Sequence, residues 1–555
     1  MNKFFSKIGR AVTGRKGIGN TMTVAIIIAV IMLNILAYTV TSLFGLYAYA
    51  EDDEVYQISG NTDEIFTAAL NAGKKVTITF CYVEDTLKNH DTGKFVLETA
   101  RQFKERYPDF IELKFINLLT KMDGNGNIVD FRKYSNVVCS QVADQITGKK
   151  CNTVHRFVDI DQDNPICTAC GSELDLKNDV VYDFNQSSII FETGSGSSYN
   201  YRVLTDNYTS AGFVDFYTLN SSGNIVSYNG EEVMAAMISW VLNANHKTVY
   251  LTQNHGETAD VAFSNLLTCS GYYVEVINLR RDEIPADAGM IIISNPTTDF
   301  ERAVEGATVR GEIEKLDDYL SSGGKVYVAF DPYVKRLPNL ETFLKNWGIE
   351  ISGRAIDDGY FVRDIVRESS MAITPDGYSF IATYASGTTA NEIYGKLQAY
   401  GTDRVLMSNV ARLKLLSDNE KSASVDQILV AGQSASTYAG NDMTDSEGNY
   451  TVAAAATKTV GDKEATLFVI PTAYITATDA FISESYSNKD FLFSVLEVLF
   501  GANPAPYGCS QMLYDTQMLE NLTMGNARIY TALILAIPFT LAVVGTVILV
   551  KRKNR

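Results

Sequence analysis

Two runs of the chain carry no charge and stand out from every other apolar stretch: Thr21 to Leu46, "TMTVAIIIAVIMLNILAYTVTSLFGL", and Ile529 to Val550, "IYTALILAIPFTLAVVGTVILV". A helix rises about 1.5 Å per residue, so either run is long enough for a hydrocarbon core of roughly 30 Å. The pattern therefore predicts transmembrane helices at 21–46 and 529–550, and Pro538 is tolerable in such a helix. Between them the periods are shorter. "KVTITFCYV" at Lys75 to Val83 has strand composition, and Val96, Ala100, Phe103 and Tyr107 fall on one helical face. Pro108 ends that helix and "FIELKFINLL" supplies a second strand, which makes a βαβ unit and predicts a small parallel-sheet domain. Its strand lacks a Cys-x-x-Cys, so even a thioredoxin-like shape there implies no redox work. Residues 120–200 are polar and Gly-punctuated, ending in a predicted hairpin with a Gly/Ser turn.

From Glu231 the text becomes regular. "EEVMAAMISWVLNA" predicts an amphipathic helix, "KTVYLTQ" a strand, "DVAFSNLLTCSG" a helix stopped by Gly271, and "YYVEVINL" and "AGMIIISNP" further strands. Val309, Ile313, Leu316 and Leu320 mark a helix that "SSGG" ends before the strand "KVYVAFDP", followed by a helix around "LETFLKNWG". Alternating strands and helices predict a doubly wound α/β sheet. Residues 352–465 suggest strands with polar excursions, and "ATLFVIPT" and "KDFLFSVLEVLFG" close the body. The expected organisation is a cytoplasmic basic N-terminus at 1–20, a span at 21–46, an α/β domain at 55–230, a second α/β domain at 231–500 with a β-rich insertion at 352–465, a span at 529–550 and a cytoplasmic tail at 551–555.

Charge sharpens this picture. The formal net charge is −18, and it becomes −27 once nine cations beside the two spans are set apart: Lys3, Lys7, Arg10, Arg15, Lys16, Lys551, Arg552, Lys553 and Arg555. Basic flanks predict cytoplasmic ends, with a strongly acidic body outside the cell membrane and the lipid bilayer as one partner. Such a surface repels nucleic acid, so none is expected as a partner. With 46% hydrophobic and 20% charged residues, the body has the composition of folded domains.

The order of several landmarks resembles one family, the gliding-motility-associated auxiliary components of ABC transporters, known as GldG-like proteins. The residues that carry the likeness are "VYLTQNHGE", "MIIISNPTTDF", "LDDYLSSGGKVYVAFDP", "FLKNWGIEI", "LFVIPTAYITATDAF" and "NKDFLFSVLEVLFG". The resemblance covers most of 231–550, and 75–230 more loosely. It implies a subunit outside the cytoplasm that works beside an ABC permease and a separate ABC ATPase, and a second domain with a class I glutamine-amidotransferase-like fold. Family members often read Gly-His-Gly-Glu where this chain has Asn254, His255, Gly256 and Glu257, and the Cys-rich segment before Asp179 is a further departure.

His255, Gly256 and Glu257 follow a strand and precede a helix, where α/β proteins gather ligand sites. Asn254 and Asn295 complete a possible ligand-binding loop. An amidotransferase-type mechanism needs a thiolate on the tight turn after "MIIIS", with a histidine as its base. That turn offers Asn295, Pro296 and Thr297 instead, and Cys269 lies in a predicted helix. No catalytic residue is assigned. The alternatives are a membrane-tethered envelope hydrolase or amidase using His255 and Glu257, and a self-assembling surface scaffold. A zinc site shared by His246 and His255 lacks a third ligand in the spacing.

Cys139, Cys151, His155, Cys167 and Cys170 form a cluster, in part a Cys-x-x-Cys, that fits either disulfides or a structural zinc. Asp/Asn runs at Asp123 and Asp159 fail the calcium-loop test: the sixth positions are Ile128 and Asn164 and the twelfth Tyr134 and Cys170. No phosphate-binding Gly-x-x-x-x-Gly-Lys-Ser/Thr occurs, so nucleotide hydrolysis falls to another chain.

Overall fold

The computed structural model describes residues 58–513, apart from 118–121, 124–153, 157–179, 183–188, 205–215, 304–309, 356–360, 417–422 and some single or paired positions. All described residues belong to one compact unit, Glu54–Tyr514. The described residues begin with helix α1 (Thr62–Asn71), strand β1 (Val76–Phe80), α2 (Glu84–Lys88), α3 (Gly93–Arg106), β2 (Ile111–Asn117) and β3 (Met122–Asp123). Short strands β4 (Val154–Arg156) and β5 (Val180–Tyr182) pair with each other, and β6 (Ile189–Thr193) and β7 (Asn200–Leu204) form the hairpin. The first sheet has the order β3-β2-β1-β6-β7. β1 and β2 are parallel in the register Val76 to Ile111 through Phe80 to Phe115, as a βαβ unit requires. β6 adds antiparallel to β1. The face of α3 marked by Val96, Ala100, Phe103 and Tyr107 is buried.

After β8 (Tyr217–Leu219) and β9 (Ile225–Tyr228) come α4 (Gly230–Leu242), β10 (Thr248–Thr252), α5 (Val261–Cys269), β11 (Tyr273–Ile277), β12 (Met290–Ser294), α6 (Glu312–Ser321), β13 (Lys325–Ala329), α7 (Pro338–Asn346) and β14 (Ile349–Ile351). Next are β15 (Gly353–Ala355), β16 (Phe361–Arg363), β17 (Ile365–Arg367), β18 (Ser379–Ile381), β19 (Thr383–Tyr384), α8 (Thr388–Gln398), β20 (Leu406–Ser408), β21 (Leu413–Leu415), β22 (Ser424–Val430), β23 (Ser436–Ala439) and β24 (Asp442–Asp445). β25 (Thr451–Val460), β26 (Lys463–Ile470), α9 (Thr478–Phe481), α10 (Asn488–Phe500) and β27 (Met512–Leu513) complete the body. The large sheet runs β11-β10-β12-β13-β26-β25-β21-β14, with β22 on β25 and β19 on β22. Its first five strands are parallel, and from β26 onward the pairings turn antiparallel. Strands β21, β22 and β25, which the sequence placed in an insertion, therefore extend the main sheet.

Period-two alternation divides the interior into two cores. Met290, Ile292, Tyr327, Ala329, Phe468 and Ile470 face one core, shared with α4, α10 and the first sheet. Ile291, Ile293, Val326, Val328, Leu467 and Val469 face the other, shared with α6 and α7. Strands buried on both faces read as continuous apolar runs, as "MIIIS" does.

Several expectations are corrected. The expected fold class, two membrane helices flanking thioredoxin-like and doubly wound amidotransferase-like domains, gives way to a mixed α/β body with many strands. Among the described residues no helix is long and apolar enough to cross a membrane. The longest, α3, has 14 residues, about 21 Å of helix against a core of roughly 30 Å. The segments expected to span, 21–46 and 529–550, lie outside the described residues. Helix α4 is buried from Gly230 to Val241 rather than amphipathic, because α1, α3, α5, β6 and β7 surround it. Helix α6 begins at Glu312, and of its expected apolar face Ile313, Leu316 and Leu320 are buried while Val309 lies outside the described residues. Helix α8 interrupts a region that reads as strands throughout, its apolar face of Ala390, Ile393 and Leu397 being short.

Candidate functional site

The parallel strands β10 and β12 end side by side, and the residues following them meet. Asn254 and Gly256 both take positive φ, 87° and 73°, bracketing His255 in a sharp turn. Asn is one of the few side chains that tolerates the left-handed region, which explains how position 254 makes the turn without glycine. A Cβ on Gly256 would lie 2.1 Å from Thr297 Oγ1, so the close approach of the two turns also requires glycine there.

His255 itself is fully buried. Its Nδ1 lies 3.2 Å from Glu257 Oε1 and its Nε2 2.9 Å from Glu312 Oε2, while the ring stacks on Phe300 with centroids 4.0 Å apart. Glu257 also accepts the His255 backbone N–H at 2.6 Å, and Glu312 accepts that of Glu301 at 2.8 Å. Burial alone would lower the imidazole pKa, but the carboxylates Glu257 and Glu312 outweigh it and raise it to about 9. Burial pushes both carboxylates up; hydrogen bonds from His255 and the backbone more than offset this and hold both below their usual range. The cluster is therefore an imidazolium held between two carboxylates. It joins the end of β10 to the start of α6.

The turn after β12 is stitched to the same loop. His255 O accepts the N–H of Thr297 at 2.8 Å and of Thr298 at 3.0 Å, and Thr258 O accepts Ser294 Oγ at 3.0 Å and Asn295 Nδ2 at 3.3 Å. Asn295 follows β12 directly at φ 54°, the left-handed region, but the next described helix begins only at Glu312 and a carboxamide is no nucleophile. Its Oδ1 is buried without a hydrogen-bond partner. Cys269 is buried in α5, as expected.

The structure thus brings Asn254, His255, Gly256, Glu257 and Asn295 together. Glu312 and Phe300 complete the arrangement and were not singled out in the sequence; Thr297, named there only as part of the turn after "MIIIS", packs against Gly256. Glu312 lies 57 residues from His255, and its only local signal is an acidic residue in the first turn of a helix. His246 does not join them. It precedes β10 whereas His255 follows it, so about 17 Å of five-residue strand separates their ends. His246 stacks on Trp240 at 3.9 Å, with Nδ1 3.0 Å from Gly271 O. Among the described residues no group of three or more His, Cys, Asp and Glu could hold a metal ion. Cys139, Cys151, Cys167 and Cys170 lie outside the described residues, and of His155 only the backbone is described, in β4 opposite Val181.

No family model matches the chain, and no curated protein does. Among solved structures, the "mmIFT52 N-terminal domain" is 15% identical with a TM-score of 0.33, the match covering 45% of this chain and 96% of that one. PurLQS from Thermotoga maritima is 10% identical with a TM-score of 0.23, covering 45% and 98%. A cytoplasmic protein from Salmonella typhimurium is 9% identical with a TM-score of 0.26, covering 46% and 100%. Likenesses this loose carry no argument about fold or activity.

Proposed function

We propose that the chain is a non-catalytic auxiliary subunit of an ABC-type transporter. Its α/β body works on the extracytoplasmic side of the cell membrane, binding substrate or envelope components or bracing the permease, while a separate ATPase supplies the energy. The observation that carries the non-catalytic part is the sealing of His255. Both ring nitrogens are engaged by carboxylates and the ring is buried against Phe300, so no nitrogen is free to take a proton from a nucleophile. The neighbouring turn, where an acyl-transfer enzyme holds its nucleophile, carries Asn295. The transporter part rests on the ordered sequence landmarks from "VYLTQNHGE" to "NKDFLFSVLEVLFG" and on the lack of a nucleotide-binding loop.

Affinity purification of the full-length chain from the cells that make it tests this reading. The expected result is a stoichiometric complex with a multi-span permease and an ATPase bearing a phosphate-binding loop. A chain that purifies alone, or that hydrolyses envelope material and loses this activity in the folded Glu257→Gln variant, would sink it.

A further inference from the structure

A second cluster of buried charge lies at the N-termini of α4 and α10. Glu231 and Glu232 stand in the first turn of α4, Lys489 and Asp490 in the first turn of α10. Lys489 pairs with Glu232. Glu231 Oε1 accepts the backbone N–H of Ser59 at 2.7 Å and its hydroxyl at 2.6 Å, and Asp490 accepts the N–H of Gly508 at 3.3 Å. Three carboxylates and one ammonium leave surplus negative charge in a place where water does not screen it. Burial, opposed by Lys489 and reinforced by Glu232, pushes Asp490 up to about 6. Glu231 is also pushed up, by burial first, and the Cys509 thiol lies well above its usual range.

This cluster opens on a cavity of about 380 Å³, walled by Thr402, Arg404, Phe481, Tyr486, Lys489 and Asp490. Arg404 sits at its exposed rim, with its guanidinium 5.8 Å from the centre of the Tyr486 ring. The Arg404 side chain makes no hydrogen bond or ion pair with any described residue. Its carbonyl accepts the Ser487 N–H at 2.8 Å, which ties the rim to the residue preceding α10. One cavity therefore presents an unpaired guanidinium at its mouth, a buried carboxylate that lacks a full counter-charge within, and an apolar wall in Phe481 and Tyr486.

We propose that this cavity binds a free α-amino acid with an apolar side chain, its carboxylate on Arg404 and its ammonium on Asp490. The arginine fork suits a carboxylate. The ammonium brings the positive charge that Lys489, already committed to Glu232, does not provide. The site is independent of the His255 loop, and of whether the chain works beside a permease.

Calorimetric titration of the full-length chain with L-leucine, N-acetyl-L-leucine and L-leucinamide tests both contacts. L-leucine should bind, with each capped analogue weaker by about tenfold or more, since each leaves one charged group unpaired. Arg404→Gln, at an exposed position that does not threaten folding, should weaken L-leucine by about tenfold or more and leave L-leucinamide unchanged. Asp490→Asn should weaken L-leucine and leave N-acetyl-L-leucine unchanged. The proposal is overturned if L-leucine gives no heat at millimolar concentration, if the three compounds bind alike, or if Arg404→Gln binds L-leucine as tightly as the parent chain.

Discussion

His255 and Lys489 are each a buried cation among carboxylates in the same compact body, yet the carboxylates around them behave in opposite ways. Beside His255, Glu257 and Glu312 are held below their usual range, because each accepts both the imidazolium and a backbone N–H. Beside Lys489, Glu231 and Asp490 are pushed up. Burial opposes ionisation at both places, and a cation hydrogen-bonded to the carboxylate decides which way the balance falls: His255 holds Glu257 and Glu312 directly, whereas Ser59 gives Glu231 only neutral donors. The first cluster is complete and acts as a staple between a strand end and a helix start. The second carries charge that the fold leaves uncompensated, and it borders a cavity. Buried charge that is satisfied indicates architecture; buried charge that is not indicates where something else can bind.

Four measurements probe this contrast. His255→Ala leaves two buried carboxylates without their shared partner and should cost about 3–5 kcal/mol in urea unfolding, as removing one member of a buried ion pair does. A loss below about 1 kcal/mol would show that the carboxylates relax to water and that the staple is not structural.

The pH dependence should differ in sign between the carboxylates of the two clusters. With its folded pKa raised to about 9, His255 contributes stability that is fully present below about 6.5 and is lost as pH rises through about 9, on the order of 3 kcal/mol in all. Its two carboxylates, being depressed, contribute stability above about 4.5 that is lost as pH falls through their folded values. Asp490 runs the other way. Its raised pKa of about 6 means that stability falls as pH climbs from about 4 through 6, again by on the order of 3 kcal/mol. Asp490→Asn should therefore raise the melting temperature at pH 7 and leave it unchanged at pH 4. Equal effects at both pH values would contradict the charge surplus.

Gly256→Ala places a Cβ 2.1 Å from Thr297 Oγ1 at φ 73° and should cost about 2–3 kcal/mol. Adding Thr297→Ala removes the contact and should return about half, leaving the backbone penalty of roughly 1 kcal/mol. The smallest effect belongs to Asn254→Gly. Relief at φ 87° offsets the added chain entropy of glycine, so the net change in unfolding free energy should stay within about 1 kcal/mol.

Much of the local structure was legible. "VTITF", "TVYLT" and "MIIIS" are strands, and Gly271, Gly323 and Gly501 sit at positive φ where helices stop. What misled was periodicity without surroundings. The all-round burial of α4 contradicts its charged first turn, because Glu231 and Glu232 meet Ser59 and Lys489, far away in the chain. The His255 loop was found from its position after an apolar strand, but its role was not. The partner that closes it, Glu312, belongs to another helix.

By itself the sequence determined most of the strands and helices between Glu231 and Ile351, since alternation and helical spacing report how each short segment divides apolar from polar side chains. It also determined that the turn after β12 carries Asn295 and no thiol. Only the tertiary structure decided that His255 is locked between two carboxylates, that Glu231 holds Ser59 across 172 residues, and that Arg404 and Asp490 share a cavity. Those pairings depend on which elements the folded sheet sets side by side, and a pattern read along one segment carries no record of its distant neighbours.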